Sequence, residues 1–296
     1  MDSQLTHSAV VTGVSSGIGE AITQTLLNGG YRVFGSVRKQ ADADRLQASL
    51  GSMFIPMLFD VRDTESIKQS ALMVSEKLNG YPLKALVNNA GLAAFGPMEC
   101  LDDDTFDDII AVNLIGVRSV TNAFLPMLRG TDSMVAGGQN PSPGKIINIS
   151  SLSGILNTPM NGAYCVSKHA LESLGEIYRR ELRSAGIKVF SIRSGPIQSH
   201  IWSKNSAVAP QYDDPYDQRM SLNAQAIMQD AAANALPASV IATLVDDIIE
   251  NRKRKLAYEI GRGAGIAKLL SSRVPVRLAD WLIDRALSKP GKPPGR

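Results

Sequence analysis

Tyr164 and Lys168 stand four residues apart in a stretch, 163–184, that reads as a helix. At that spacing two side chains share one helix face. A free phenol, with a pKa of about 10, is a poor base at neutral pH. A neighbouring ammonium favours the phenolate and is expected to draw that pKa down to where general acid–base chemistry operates. In the reverse direction the same phenol gives its proton to a developing alkoxide. Ser151 precedes Tyr164 by thirteen residues, just past a predicted strand over 145–149. There its hydroxyl can hydrogen-bond a substrate oxygen and stabilise developing charge. Ser150 and Ser153 are rivals of the same type. A Tyr and a Lys at helical spacing, taken alone, read as ordinary surface residues.

A second group changes that reading. Thr12-Gly13-Val14-Ser15-Ser16-Gly17-Ile18-Gly19 joins a β-branched run to a helical pattern. Glycines let the backbone turn tightly and approach a pyrophosphate, and the following helix N-terminus supplies free N–H groups at a positive dipole end. Directly after a first strand and before a first helix, such a loop points to nucleotide binding rather than to an ordinary turn.

The elements that must hold these residues alternate. Strands are predicted over 8–12, 31–37, 53–59, 83–88, 145–149, 187–192 and 256–260. Helices are predicted over 17–28, from Thr64 as cap through Leu78, from the Asp102-Asp103-Asp104 run to Leu128, over 163–184 and over 238–250. Gly29-Gly30 reads as a helix stop. The alternation predicts right-handed crossovers and a mostly parallel sheet covered on both faces, a single α/β domain over 1–296. Ligands of such sheets bind beyond the carboxyl ends of the strands, where the motifs fall. Residues 130–144 read as an exposed Gly/Ser/Pro loop and 199–237 as a variable substrate loop. Residues 262–296 form a C-terminal extension with a basic, Pro/Gly-rich end expected to be disordered.

With Gly13-x-x-x-Gly17-x-Gly19 in place, the chain resembles the short-chain dehydrogenase/reductase family, over roughly residues 8–200. Asn88-Asn89-Ala90-Gly91 is similar to the family's element after strand four, and Asp60-Val61 to its adenine-contacting pair. Asn113 falls at its helix asparagine, and Ser151, Tyr164 and Lys168 at its Ser and Y-x-x-x-K positions. The resemblance implies a doubly wound Rossmann-type sheet with helices on both faces, and hydride transfer between a nicotinamide and an alcohol or carbonyl group. It favours Ser151 over its neighbours. It gives Asn113 a water linking Lys168 to solvent, and Lys168 a bond to the nicotinamide ribose. It implies cofactor contacts at Gly13, Ser15, Ser16, Gly17, Ile18, Gly19, Arg38, Asp60, Val61, Asn88, Ala90, Gly91, Tyr164, Lys168, Pro196, Ile197 and Ser199. Ser194-Gly195-Pro196 departs from the family pattern in carrying Arg193-Ser194 before the Gly-Pro pair.

Cofactor choice rests on the end of the second strand. Phe34-Gly35-Ser36-Val37-Arg38-Lys39 has no acid there; Val37 stands where family members that use NAD have Asp. A guanidinium can clamp a phosphate with two parallel hydrogen bonds, so Arg38 points to NADP, with Ser15, Ser16 and Lys39 at hand. The loop residues Ile201, Trp202, Tyr212 and Tyr216 suit an apolar substrate. The branch most resembled, the retinol and hydroxysteroid dehydrogenases, implies a retinoid-, steroid- or aryl-like alcohol, ketone or aldehyde. The rival reading is a non-catalytic NADP-binding sensor or scaffold, and such relatives usually lack the Tyr or the Lys. A lyase, epimerase or dehydratase on this fold would commonly carry a different glycine spacing.

Composition narrows the rest. A net charge of +3 gives no nucleic-acid footprint, and Arg252-Lys253-Arg254-Lys255 reads as a solvated helix end. Cys100 and Cys165 form no pair motif, so a reducing, cytoplasmic setting is expected. No signal peptide and no apolar run long enough to span a bilayer are read. His7, His169 and His200 lack metal-ligand spacing, so no metal is expected. Cys165, Trp202 and Trp281 read as packing residues, although Trp202 or His200 could touch substrate. The stretch 266–287 could close the pocket, join subunits or rest on a membrane, in that order. By resemblance, the helices over 102–128 and 163–184 would form a homodimer or homotetramer interface.

Overall fold

The computed structural model describes residues 7–129, 142–198, 226, 227 and 229–287. Seven parallel strands form one sheet, in the order β3-β2-β1-β4-β5-β6-β7. They are β1 (Ser8–Val11), β2 (Arg32–Val37), β3 (Phe54–Leu58), β4 (Ala85–Asn88), β5 (Lys145–Ser151), β6 (Lys188–Ser194) and β7 (Ala257–Ile260). The winding reverses between β1 and β4, and a crevice opens there at the strands' carboxyl ends.

Helices cover both faces. On one, α1 (Gly17–Asn28), α2 (Gln40–Leu50) and α7 (Ala238–Ile249) bury Ile22, Leu26, Leu46, Ile241, Val245 and Ile248 against the sheet. On the other, α3 (Thr64–Leu78) and α5 (Val117–Leu128) bury Ile67, Val74, Val120, Phe124 and Leu128. Here also belong α4 (Asp103–Ile110), a π-helical turn over Ala111–Gly116, and α6 (Gly162–Glu181). Two further helices, α8 (Ala264–Ser272) and α9 (Val276–Leu287), follow β7.

The apolar stripe of α3 is buried as its spacing predicts, but its cap is Asp63, not Thr64. The Asp63 carboxylate accepts from the Glu65 and Ser66 amides at 3.0 and 3.2 Å, and Thr64 is the first helical residue. α2 escapes the sequence reading because only Ala43 and Leu46 of its residues are buried. The run Asp103–Leu128 is long and apolar enough to cross a membrane, with mean hydropathy 1.4, contrary to expectation. It begins with an acidic, capped turn and packs Val112, Val120 and Phe124 into the core beside α3 and β4, as a core helix does.

β5 and β6 each run two residues further than predicted. Their registered pairing ends at Ser151↔Ser194, which places both serines at the crevice. Residues 130–141, most of the expected substrate loop and the chain's last nine residues lie outside the described residues.

Candidate active site

Three turns interlock at the crevice. Thr12, just beyond β1, accepts from the amides of Asn89 and Ala90 on its hydroxyl at 2.9 and 3.0 Å. Asn89 Nδ2 returns bonds to the carbonyls of Thr12 and Gly13 at 2.9 and 3.1 Å. Gly13 has φ +69°, and a Cβ on it would stand 2.9 Å from Ala90 Cα. A Cβ on Gly19 would stand 2.2 Å from the Gly13 carbonyl oxygen. Only glycine lets α1 approach β1 and the β4 turn this closely. Ser16 caps α1 without a side-chain bond, so the first-turn N–H groups stay available beside Ser15, Ser16 and Ile18, which line the cleft. Gly17 opens the helix and Gly19 packs behind, so these two position the loop rather than line the space.

Asn88 does not reach the cleft. It is buried, and its Nδ2 donates to Asn148 Oδ1 and Thr121 Oγ1 at 2.9 and 3.1 Å. It is the last residue of β4 and points into the packed face, which leaves Asn89, Ala90 and Gly91 to line the space. Ser36 was also missed. It accepts from the Gly13 amide at 3.0 Å and shares the cleft wall.

At the β2 end Val37 and Arg38 line the cleft with Asp60 and Val61. Arg62 grips Asp60 through Nε at 3.1 Å and Nη2 at 2.9 Å. That bond, helped by the charges of Arg62 and Arg38, holds the Asp60 carboxyl below its usual range. Arg38 is exposed and has no hydrogen bond or ion pair among the described residues.

Ser151 closes β5, Tyr164 and Lys168 rise from α6, and all three line the same cleft. Lys168 Nζ donates to the Ile149 carbonyl at 2.9 Å and lies 5.5 Å from the centre of the Tyr164 ring. Burial pushes Tyr164 up to about 12, against a hydrogen bond from the Ser151 hydroxyl that lowers it. Burial also pulls Lys168 down to about 8, partly offset by the Glu172 carboxylate. In the chain by itself desolvation of the ring outweighs the Ser151 hydrogen bond, so the phenol is raised. Ser153 donates its amide to Ser151 Oγ at 3.1 Å, which fixes which serine faces the phenol.

Asn113 is fully buried in the π turn and lies behind the cleft wall. Its Oδ1 accepts from the Leu92 amide at 2.8 Å, and its Nδ2 donates to Leu92 O at 2.8 Å and Ser167 Oγ at 2.9 Å. The side chain clamps α6 to the chain after Gly91. A Cβ on Gly91 would stand 3.3 Å from Asn113 Oδ1 and 3.9 Å from Lys168 Nζ.

The far wall is Ser194, Gly195, Pro196 and Ile197, with Ile227, Ala231, Ile266, Ala267, Ile283, Ala286 and Leu287. The C-terminal helices thus bound the cleft, whose volume is about 650 Å³. Ser199, His200 and Trp202 lie outside the described residues. Trp281 is half exposed rather than packed.

The unusual Arg193 faces away from the cleft and spans Glu172 of α6 and Glu259 of β7, at 2.7 and 3.0 Å. Arg252 pairs with Asp246 and Asp247, and Lys253, Arg254 and Lys255 are exposed, as expected for a solvated helix end.

Residues 7–209 match the family described as short chain dehydrogenase. The chain is 31% identical over 281 residues to an NADPH-dependent 3-dehydrocapnine reductase of Ornithobacterium rhinotracheale, covering 95% of this chain and 97% of that one. It is 26% identical over 295 residues to mouse retinol dehydrogenase 7, covering 95% and 89%. In fold it is similar to a short-chain dehydrogenase from Streptomyces avermitilis, with TM-score 0.75, 24% identity and coverage of 97% and 100%. The chain belongs to the short-chain dehydrogenase family.

Proposed function

We propose that the protein is an NADP-dependent oxidoreductase that interconverts an apolar alcohol and its ketone or aldehyde. The observation that carries this is the convergence of Ser151, Tyr164 and Lys168 on the cleft that also receives the glycine turn and the start of α1. The residues fit a dinucleotide: glycines let α1 and the β4 turn close tightly on the loop, and the helix N-terminus keeps its donors free. Gly13, Ser15, Ser16 and Ile18 would surround the pyrophosphate, with Gly17 and Gly19 shaping the loop behind them, and Asp60, Val61, Ala90 and Gly91 would border the adenosine half. Arg38, with Ser15, would hold the 2′-phosphate. Lys168 would bond the nicotinamide ribose, and Pro196 and Ile197 would flank the carboxamide. The 31%-identical relative is named as NADPH-dependent, which supports the same choice here.

When bound, the nicotinamide supplies or accepts the hydride. The chain's own residues handle the proton. In reduction Ser151 bonds the carbonyl oxygen, and Tyr164 delivers its phenolic proton to that oxygen. Lys168, anchored on Ile149, keeps positive charge beside the phenol. In oxidation the phenolate receives the alcohol proton. Leu156, Ile266, Ile283 and Leu287 give the substrate end an apolar wall, which suits a retinoid-, steroid- or aryl-like compound. A sensor or scaffold role has less support, because the Tyr and the Lys are both present in the cleft.

Exposed Ile115, Val166 and Ile177 suit a homo-oligomer interface over the π turn and α6, and a monomer mass by light scattering would remove that reading. The deciding experiment follows NADPH and NADH consumption with bulky apolar ketones and aldehydes. NADPH-driven turnover is expected to fall about 10²–10⁴-fold in Tyr164→Phe. Activity that survives in the variant would mean the proton donor lies elsewhere.

A further inference from the structure

We propose that the outward face of α8 and α9 docks on an anionic lipid surface, so that the cleft mouth opens at the bilayer. The two helices are apolar on both sides. Inward, Ala267, Ile283 and Leu287 line the cleft. Away from it, Leu269, Leu278, Trp281 and Leu282 are exposed, Trp281 by 51%. Six of the fourteen exposed large apolar side chains among the described residues gather in this one short stretch. Scattered apolar residues on a surface need no explanation, but a gathered set marks an interaction site.

Charge selects the occupant. Residues 262–287 hold five Lys or Arg against two Asp, a net +3 that equals the charge of the entire chain. Arg262 and Lys268 reach back to Asp230 and Glu259. Arg273 and Arg277 have no ion pair among the described residues, and Arg285 lies over the Trp281 ring at 5.2 Å. At about 100° per residue, Leu278, Trp281, Leu282 and Arg285 share one side of α9, and Asp280 and Asp284 fall outside it. An apolar face edged by arginines, with an amphipathic Trp, is the make-up of a helix lying in a lipid interface. A second copy meeting this face about a two-fold axis would set the arginine-rich faces against each other, which costs energy; anionic headgroups would neutralise them.

The test is co-sedimentation of the full chain with vesicles of phosphatidylcholine, alone or mixed with phosphatidylserine. It needs no turnover, so its outcome is separate from that of the enzymatic reading. Binding is expected on the mixed vesicles, with a blue shift of tryptophan emission. Arg273→Glu/Arg277→Glu should lower partitioning more than about tenfold, and high salt should act the same way. Leu278→Ser/Leu282→Ser should weaken binding while a circular-dichroism melt confirms folding. Should that variant melt early, the wild-type contrast between the two vesicles decides. Binding that is absent, equal on neutral vesicles or indifferent to charge reversal overturns the proposal. So does a solution dimer that this apolar substitution splits, since a second copy would then be the occupant.

Discussion

Tyr164 and Lys168 are both pushed by burial towards their neutral forms, one to about 12 and the other to about 8. The phenol therefore keeps its proton across the working range, while the ammonium loses its charge just above it. Reductive kcat/KM is expected to be level below about pH 8 and to fall above it as Lys168 deprotonates. In Lys168→Arg, whose charge persists, the falling limb should vanish from whatever activity remains; the same limb in that variant would assign it to another group. Arg38 lends itself to a second test. A guanidinium bonded to a phosphate contributes about 1.5–3 kcal/mol, so Arg38→Glu should raise the NADPH KM about 10–150-fold. The NADH value should hardly change. An equal rise for both cofactors would mean that Arg38 does not read the phosphate.

At the scale of elements, α1 sits where two glycines allow it. Gly19→Ala puts a methyl group against the Gly13 carbonyl, a backbone atom that cannot step aside cheaply. The expected cost is about 1–3 kcal/mol, read as a lower urea midpoint together with weaker dinucleotide binding. An unchanged midpoint would show that the turn relaxes. The π turn of Ala111–Gly116 is the second such element, since it carries Asn113 to Leu92 and Ser167 at once. The predicted helix over 102–128 gives no sign of it, because a one-residue widening of the helix leaves the apolar spacing almost intact.

Across the whole molecule, Arg193 joins β6 to α6 through Glu172 and to β7 through Glu259, from which Lys268 leads on to α8. Arg193→Ala leaves the mostly buried Glu172 without its cation and Glu259 with only the exposed Lys268, and should cost about 3 kcal/mol by chemical denaturation. Replacing all three at once, as Arg193→Met with Glu172→Gln and Glu259→Gln, should cost less, because no buried charge is then left alone. If the triple variant is the weaker, the network contributes more than its own desolvation takes. This network appears in the sequence only as a departure from a familiar pattern, since its members lie far apart along the chain. The glycine turn, the strand–helix alternation and the Tyr164–Lys168 spacing were all legible, because each is written in neighbouring residues whose periodicity and backbone needs are local. The sequence by itself therefore determined the parallel α/β sheet, the cleft's position and most of its lining. Tertiary structure decided which asparagine faces the cleft, that Asn113 serves as a clamp, where Arg193 finds its partners and that α8 and α9 bound the cleft. It also decided the direction of the Tyr164 shift. Those outcomes depend on burial and on contacts between distant segments, which side-chain type and spacing do not encode.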